Sequence, residues 1–175
     1  DVFGPLHLYG SAEKQNPGAV NMLVEGPWSH GGWARTDGTT LGNANFASNT
    51  SKFFQDEIEF PFFLYYLKGK GDGNKLPEAY VFETGRNEWH KMDAWPPRQT
   101  KARTYYFQPA GKLADTVPEA ADAFDEYASD PNKPVPFLPY TDRGMNYNYM
   151  TDDQRHAAAR PDVLVYQTEP LDKDL

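Results

Sequence analysis

Few side chains in this 175-residue sequence can do chemistry unaided. There are four histidines, His7, His30, His90 and His156, and no cysteine, so a thiolate nucleophile, a thiolate metal site and disulfides are all excluded. His30 has the most informative setting. It follows Asn21-Met22-Leu23-Val24-Glu25-Gly26-Pro27-Trp28-Ser29 and precedes Gly31-Gly32-Trp33. An apolar run of strand length that stops at Gly-Pro predicts a strand ending there and a loop that carries the imidazole just beyond it. Ligands gather at the carboxyl ends of strands in open α/β sheets. An imidazole placed there suits general acid and base work, and two following glycines leave the backbone free for other groups to approach. These local features equally suit a histidine on the surface or capping the core.

The other chemistry-bearing candidates are weaker. None of the four histidines has a partner at metal-ligand spacing. Gly69-Lys70-Gly71-Asp72-Gly73 is glycine-rich, but it follows a helical pattern and precedes Leu76-Pro77, the wrong context for a phosphate loop. Asp115 to Glu126 is acidic without the glycine and ligand spacing of a calcium loop, and reads as a solvated surface. No metal and no cofactor is expected. The formal charge of −8, with no Lys and Arg cluster, excludes a nucleic-acid partner. No apolar run approaches the roughly 20 residues that span a bilayer, so no membrane partner is expected. The abrupt start at Asp1-Val2-Phe3-Gly4 reads as an internal piece of a longer protein, which leaves the compartment open.

The elements that must position His30 follow from periodicity. Phe3, Leu6, His7 and Gly10 predict a short helix from Asp1 to about Lys14, broken by Asn16-Pro17-Gly18. Gly31 to Thr50 predicts a long loop with Trp33 and Phe46 as walls or anchors. Asn49-Thr50-Ser51 fits a glycosylation sequon, a match common by chance. Ser51 is expected to cap a helix carrying Phe53, Phe54, Ile58, Phe62, Tyr66 and Leu67 on one broad face, read as core, with a kink or break at Pro61. After Pro77 the pattern changes. Residues 79–84, 104–107 and 163–166 predict strands between proline-rich connections, the opening of a β-sandwich from about residue 78. Tyr140 to Gln154 suits a loop packed on a neighbouring domain.

Gly26-Pro27-Trp28-Ser29-His30 resembles the G-P-W-x-H segment that carries the triad histidine in the cocaine-esterase-like (CocE/NonD) serine hydrolases. The similarity is strongest to their α-amino acid ester hydrolase and glutaryl-cephalosporin acylase members. Further similar blocks follow in order: Phe62 to Lys68, Glu83 to Trp89 with Trp95-Pro96, Ser129-Asp130-Pro131 with Pro134 to Phe137, Asp153-Gln154-Arg155, and Arg160 to Leu164. The resemblance implies an α/β plus β chain: residues 1–76 as the end of an α/β-hydrolase domain, and residues 77–175 as the start of a jelly-roll β-sandwich. It also implies His30 as the catalytic base, with the nucleophilic Ser and the triad Asp upstream of Asp1, since the chain holds no G-x-S-x-G. Asp1-Val2-Phe3-Gly4 is similar to the end of the family's Asp-x-Glu-Asp segment, which implies that Asp1 binds the α-ammonium of a substrate.

The expected reaction is acyl transfer or hydrolysis of a small-molecule ester or amide through an acyl-enzyme, on amino acid esters or β-lactam side chains. The rest of the hydrolase domain is the expected partner, self-association stays open, and the resemblance leans towards a periplasmic or secreted protein. A non-catalytic β-sandwich binding module is the rival from another class. X-Pro dipeptidyl-peptidase-like and cocaine-esterase-like activities are the alternatives within the family.

Overall fold

The computed structural model describes residues 3–120, 122–144 and 146–173. They divide into two compact units, residues 1–100 and 101–175.

The first unit is built on a mixed sheet of three strands, in the order β1 (Leu23–Glu25), β4 (Ala79–Glu83), β5 (Glu88–Met92). Helix α1 (Phe3–Gln15) leads through the expected Asn-Pro-Gly turn into β1 (Leu23–Glu25), as the apolar spacing predicts. Short α2 (Gly32–Arg35) and a hairpin of β2 (Thr40–Leu41) with β3 (Ala44–Asn45) follow. The Gly31 to Thr50 stretch, expected as one long loop, is therefore partly ordered by its own hydrogen bonds.

One continuous helical run then covers α3 (Thr50–Phe53), a π-helical segment (Phe54–Glu59) and α4 (Phe60–Lys68). Pro61 was expected to kink or break this run. Instead the run continues through it, and the preceding backbone widens so that the Phe60 N–H reaches the Gln55 carbonyl. The expected core stripe is also only partly core: Ile58 is buried, Phe53, Phe54 and Phe62 are half-buried, and Tyr66 and Leu67 are exposed.

β4 (Ala79–Glu83) is the centre of the sheet. It pairs parallel with β1, Leu23 opposite Ala79, and antiparallel with β5 (Glu88–Met92), Phe82 opposite Trp89. Ala79, Tyr80 and Phe82 are all buried, the continuous pattern of a strand covered on both faces. Tyr9 of α1 packs with Leu23 and Ala79 on one side. Its hydroxyl donates to Glu78 Oε1 at 2.7 Å. On the other side Phe53 meets Tyr80 at 6.1 Å and stacks on Trp89 at 5.2 Å. The strand that composition assigns to a second domain, β4, thus pairs onto β1 across the expected division after residue 76.

The second unit holds the hairpin of β6 (Tyr106–Gln108) and β7 (Lys112–Ala114) and the short helix α5 (Arg155–Ala158). The strand expected at residues 163–166 does not form. Its extended chain makes only a parallel bridge between Gln167 and Lys112, held by the Leu113 N–H on the Gln167 carbonyl at 2.7 Å and the Gln167 N–H on the Gly111 carbonyl at 2.9 Å. Among the described residues, no helix is long and apolar enough to cross a membrane.

Candidate active site

His30 lies five residues past the end of β1, in a turn that leads into α2, and its side chain is exposed. The ring meets Trp33 edge-on with centroids 6.1 Å apart. It is thus open to reacting groups and is not packed into the core.

The loop around it is fixed by polar contacts from the helical run that begins at Thr50. Trp28 Nε1 donates to Thr50 Oγ1 at 2.8 Å, and the same hydroxyl donates to the Gly38 carbonyl at 2.7 Å. Ser51 Oγ donates to the Gly32 carbonyl at 3.3 Å. Gln55 Nε2 donates to the Trp33 carbonyl at 2.6 Å. Among the described residues of the unit, Thr50 and Ser51 are the two fully buried polar ones, at 0 % and 1 % exposure. Ser51, expected to cap the helix from its N-cap position, lies inside the first turn instead, and the cap position belongs to Asn49.

Apolar contacts complete the frame. The Trp28 ring lies 5.2 Å from Phe54, 5.8 Å from Trp89 and 6.3 Å from Trp33. Trp28 therefore joins the histidine loop to both the helix and the sheet. Phe46, expected as a pocket wall or an anchor of the loop, is an anchor: it is buried against Phe82 at 5.6 Å beside the β2–β3 hairpin.

The other histidines have unrelated surroundings. His7 stacks on Phe3, His90 Nε2 faces Glu83 Oε2 at 2.8 Å, and His156 lies between the Asp153 and Pro136 carbonyls. Among the described residues no three His, Asp or Glu side chains gather where a metal could be held. Asp1, the residue expected to receive an ammonium, lies outside the described residues.

Glu25 was not singled out from sequence. It ends β1 opposite Val81, and its Oε1 is buried without a hydrogen-bond partner among the described residues. Burial raises its pKa above the ordinary 4.5. A carboxyl whose folded pKa is raised stabilises the fold below its unfolded pKa, and that stabilisation is lost as pH rises through the folded value. Glu25→Gln removes the buried charge at constant shape. The expected result is a higher urea midpoint at pH 7, with the difference from wild type closing as the pH is brought below 4.5.

Comparison with known proteins places this geometry. Residues 65–175 match the family described as the X-Pro dipeptidyl-peptidase C-terminal non-catalytic domain. The chain belongs to this family. Its similarity to the cocaine-esterase-like hydrolases extends further, over segments on both sides of His30. Cocaine esterase from Rhodococcus sp. (strain MB1 Bresler) is 31% identical over 173 residues, which are 91% of this chain and 29% of the esterase. The solved structure of an aminopeptidase from the marine sediment archaeon Thaumarchaeota archaeon superposes with a TM-score of 0.84 at 39% identity, covering 98% of this chain and 29% of that one. An α-amino acid ester hydrolase superposes with a TM-score of 0.84 at 37% identity, covering 98% of this chain and 30% of that one. The family resemblance read from the sequence blocks thus holds, and the chain spans less than a third of the length of these relatives. His30 lies N-terminal to the segment that the family model describes as non-catalytic.

Proposed function

We propose that the polypeptide carrying this chain is a serine hydrolase or acyltransferase and that His30 is the general base of its triad. The observation that carries the reading is the exposed imidazole just past β1, on a loop tethered on both flanks. Membership among esterase and aminopeptidase relatives supports it. Residues 1–76 are read as the closing part of an α/β-hydrolase domain and residues 77–175 as the opening of a jelly roll, a reading supported by the match of residues 65–175 to a non-catalytic C-terminal domain.

In this reading a serine outside residues 1–175 attacks the carbonyl of an ester or amide while His30 accepts the hydroxyl proton. The tetrahedral intermediate collapses to an acyl-enzyme, and His30 returns the proton to the leaving group. Water, or an acceptor amine, then enters with His30 again as base. A triad aspartate outside this chain holds the ring tautomer. The Asp1 carboxylate receives the α-ammonium of an amino acid ester or β-lactam side chain, an ion pair worth most in a partly dry site.

A serine-directed fluorophosphonate is expected to label the full-length polypeptide at one serine outside residues 1–175, as read by peptide mapping. The 175-residue chain alone is expected to show no ester hydrolysis. Labelling of a serine within this chain, or turnover by it, would overturn the assignment. The non-catalytic description of residues 65–175 favours a different task for the second unit, that of a structural or binding module beside the hydrolase.

A further inference from the structure

We propose that Thr50 and Ser51 are positioning residues that fix the His30 ring, an inference that rests on His30 acting as the general base. The two adjacent hydroxyls reach opposite flanks of one short loop. Thr50 Oγ1 accepts from Trp28, two residues before His30, and Ser51 Oγ donates to the carbonyl of Gly32, two residues after it. Gln55, one turn further along, holds the carbonyl of Trp33. Three polar side chains of one helical run thus bond the residues at −2, +2 and +3 from His30, and none of them bonds the imidazole itself.

The arrangement is more than helix capping. Neither hydroxyl serves its own helix: Thr50 passes its proton to the Gly38 carbonyl, so one oxygen ties the histidine loop to the β2–β3 segment as well. Both side chains are fully buried, where an unpaired donor or acceptor is costly and the bonds persist. A catalytic imidazole must hold its nitrogen at hydrogen-bond distance from the serine hydroxyl, about 2.6–3.2 Å, and a 1 Å displacement costs about 10²-fold in rate.

Thr50→Val keeps the shape of the side chain and deletes its hydroxyl, leaving the Trp28 N–H and the Gly38 carbonyl unpaired. Thr50→Ser keeps the hydroxyl. In the full-length polypeptide, assayed with an activated ester at a temperature where all variants are folded by circular dichroism, Thr50→Val is expected to lower kcat by about 10- to 100-fold with KM within about twofold. Thr50→Ser is expected to restore kcat to within about threefold of wild type. The His30 ring signals in the NMR spectrum, assigned with His30→Gln, are expected to move or broaden in Thr50→Val and to remain in place in Thr50→Ser. Wild-type kcat in Thr50→Val beside an inactive His30→Ala would overturn the positioning role and leave the catalytic reading standing. A loss of kcat that Thr50→Ser shares would overturn it as well. Activity retained by His30→Ala would remove the catalytic reading, and the ring signals then decide the inference alone: unmoved signals in Thr50→Val reject it.

Discussion

Replacing His30 with alanine in the full-length polypeptide is expected to lower kcat on an activated ester by about 10⁴- to 10⁶-fold while KM changes little. The size of the loss follows from the role. Without a base, the serine hydroxyl must lose its proton to water during attack, and the leaving group departs without an acid to protonate it. Substrate binding is carried by other groups, which is why KM should hold. The fold should hold too, because the ring is exposed and meets Trp33 edge-on. Unchanged thermal unfolding together with lost turnover is therefore the expected pair. Near-wild-type turnover in the folded variant would take His30 out of the triad and the enzyme assignment with it.

The largest stability effect is expected at Gly38. Its φ of +71° lies in the left-handed region, and a Cβ there would sit 2.4 Å from both Thr50 Oγ1 and Ser51 Oγ. Neither oxygen can retreat, since both side chains are buried and hydrogen bonded. Gly38→Ala then combines left-handed backbone strain of about 1–2 kcal/mol with an overpacking cost of about 1–3 kcal/mol. A loss of about 2–5 kcal/mol in urea unfolding is expected from the two together. Gly69→Ala supplies the control. It has φ +63° and open space where the Cβ would go, so it should show the strain without the clash, about 1–2 kcal/mol. Equal losses in the two variants would mean that the hydroxyl pair gives way easily and holds the loop only loosely.

What could be read from sequence was local. α1, β1, the turn at Asn16-Pro17-Gly18 and the placement of His30 beyond a strand all follow from short-range periodicity and Gly-Pro chemistry. β5 was missed because Glu88-Trp89-His90-Lys91-Met92 is too polar to look like a strand; only pairing with β4 turns Trp89 inward beside Phe82. Its turn carries Gly85 at φ +94° and Asn87 at φ +59°, a hairpin signal that was available and unused. Composition changes where β4 begins, but β4 completes the sheet begun by β1. Val163 to Tyr166 has strand-forming side chains without a ladder to join, and Pro61 is accommodated by a widened turn that propensity does not encode. The Thr50 and Ser51 tethers span 12 to 22 residues, beyond the reach of any pattern in the local sequence.

The parallel pairing of Leu23 with Ala79 also sets an order of events during synthesis. The loop that bears His30 lies within the stretch enclosed by that pairing, and its aromatic hub leans on Trp89, which is made later still. A ribosome that has just released the imidazole has not yet supplied the strand on which its support is built. Long-range closures of this kind are slow and come after local helices have formed. The loop that bears His30 is thus expected to be among the last parts of the first unit to become rigid, and a nascent chain halted before residue 79 would carry the histidine on an unanchored tether.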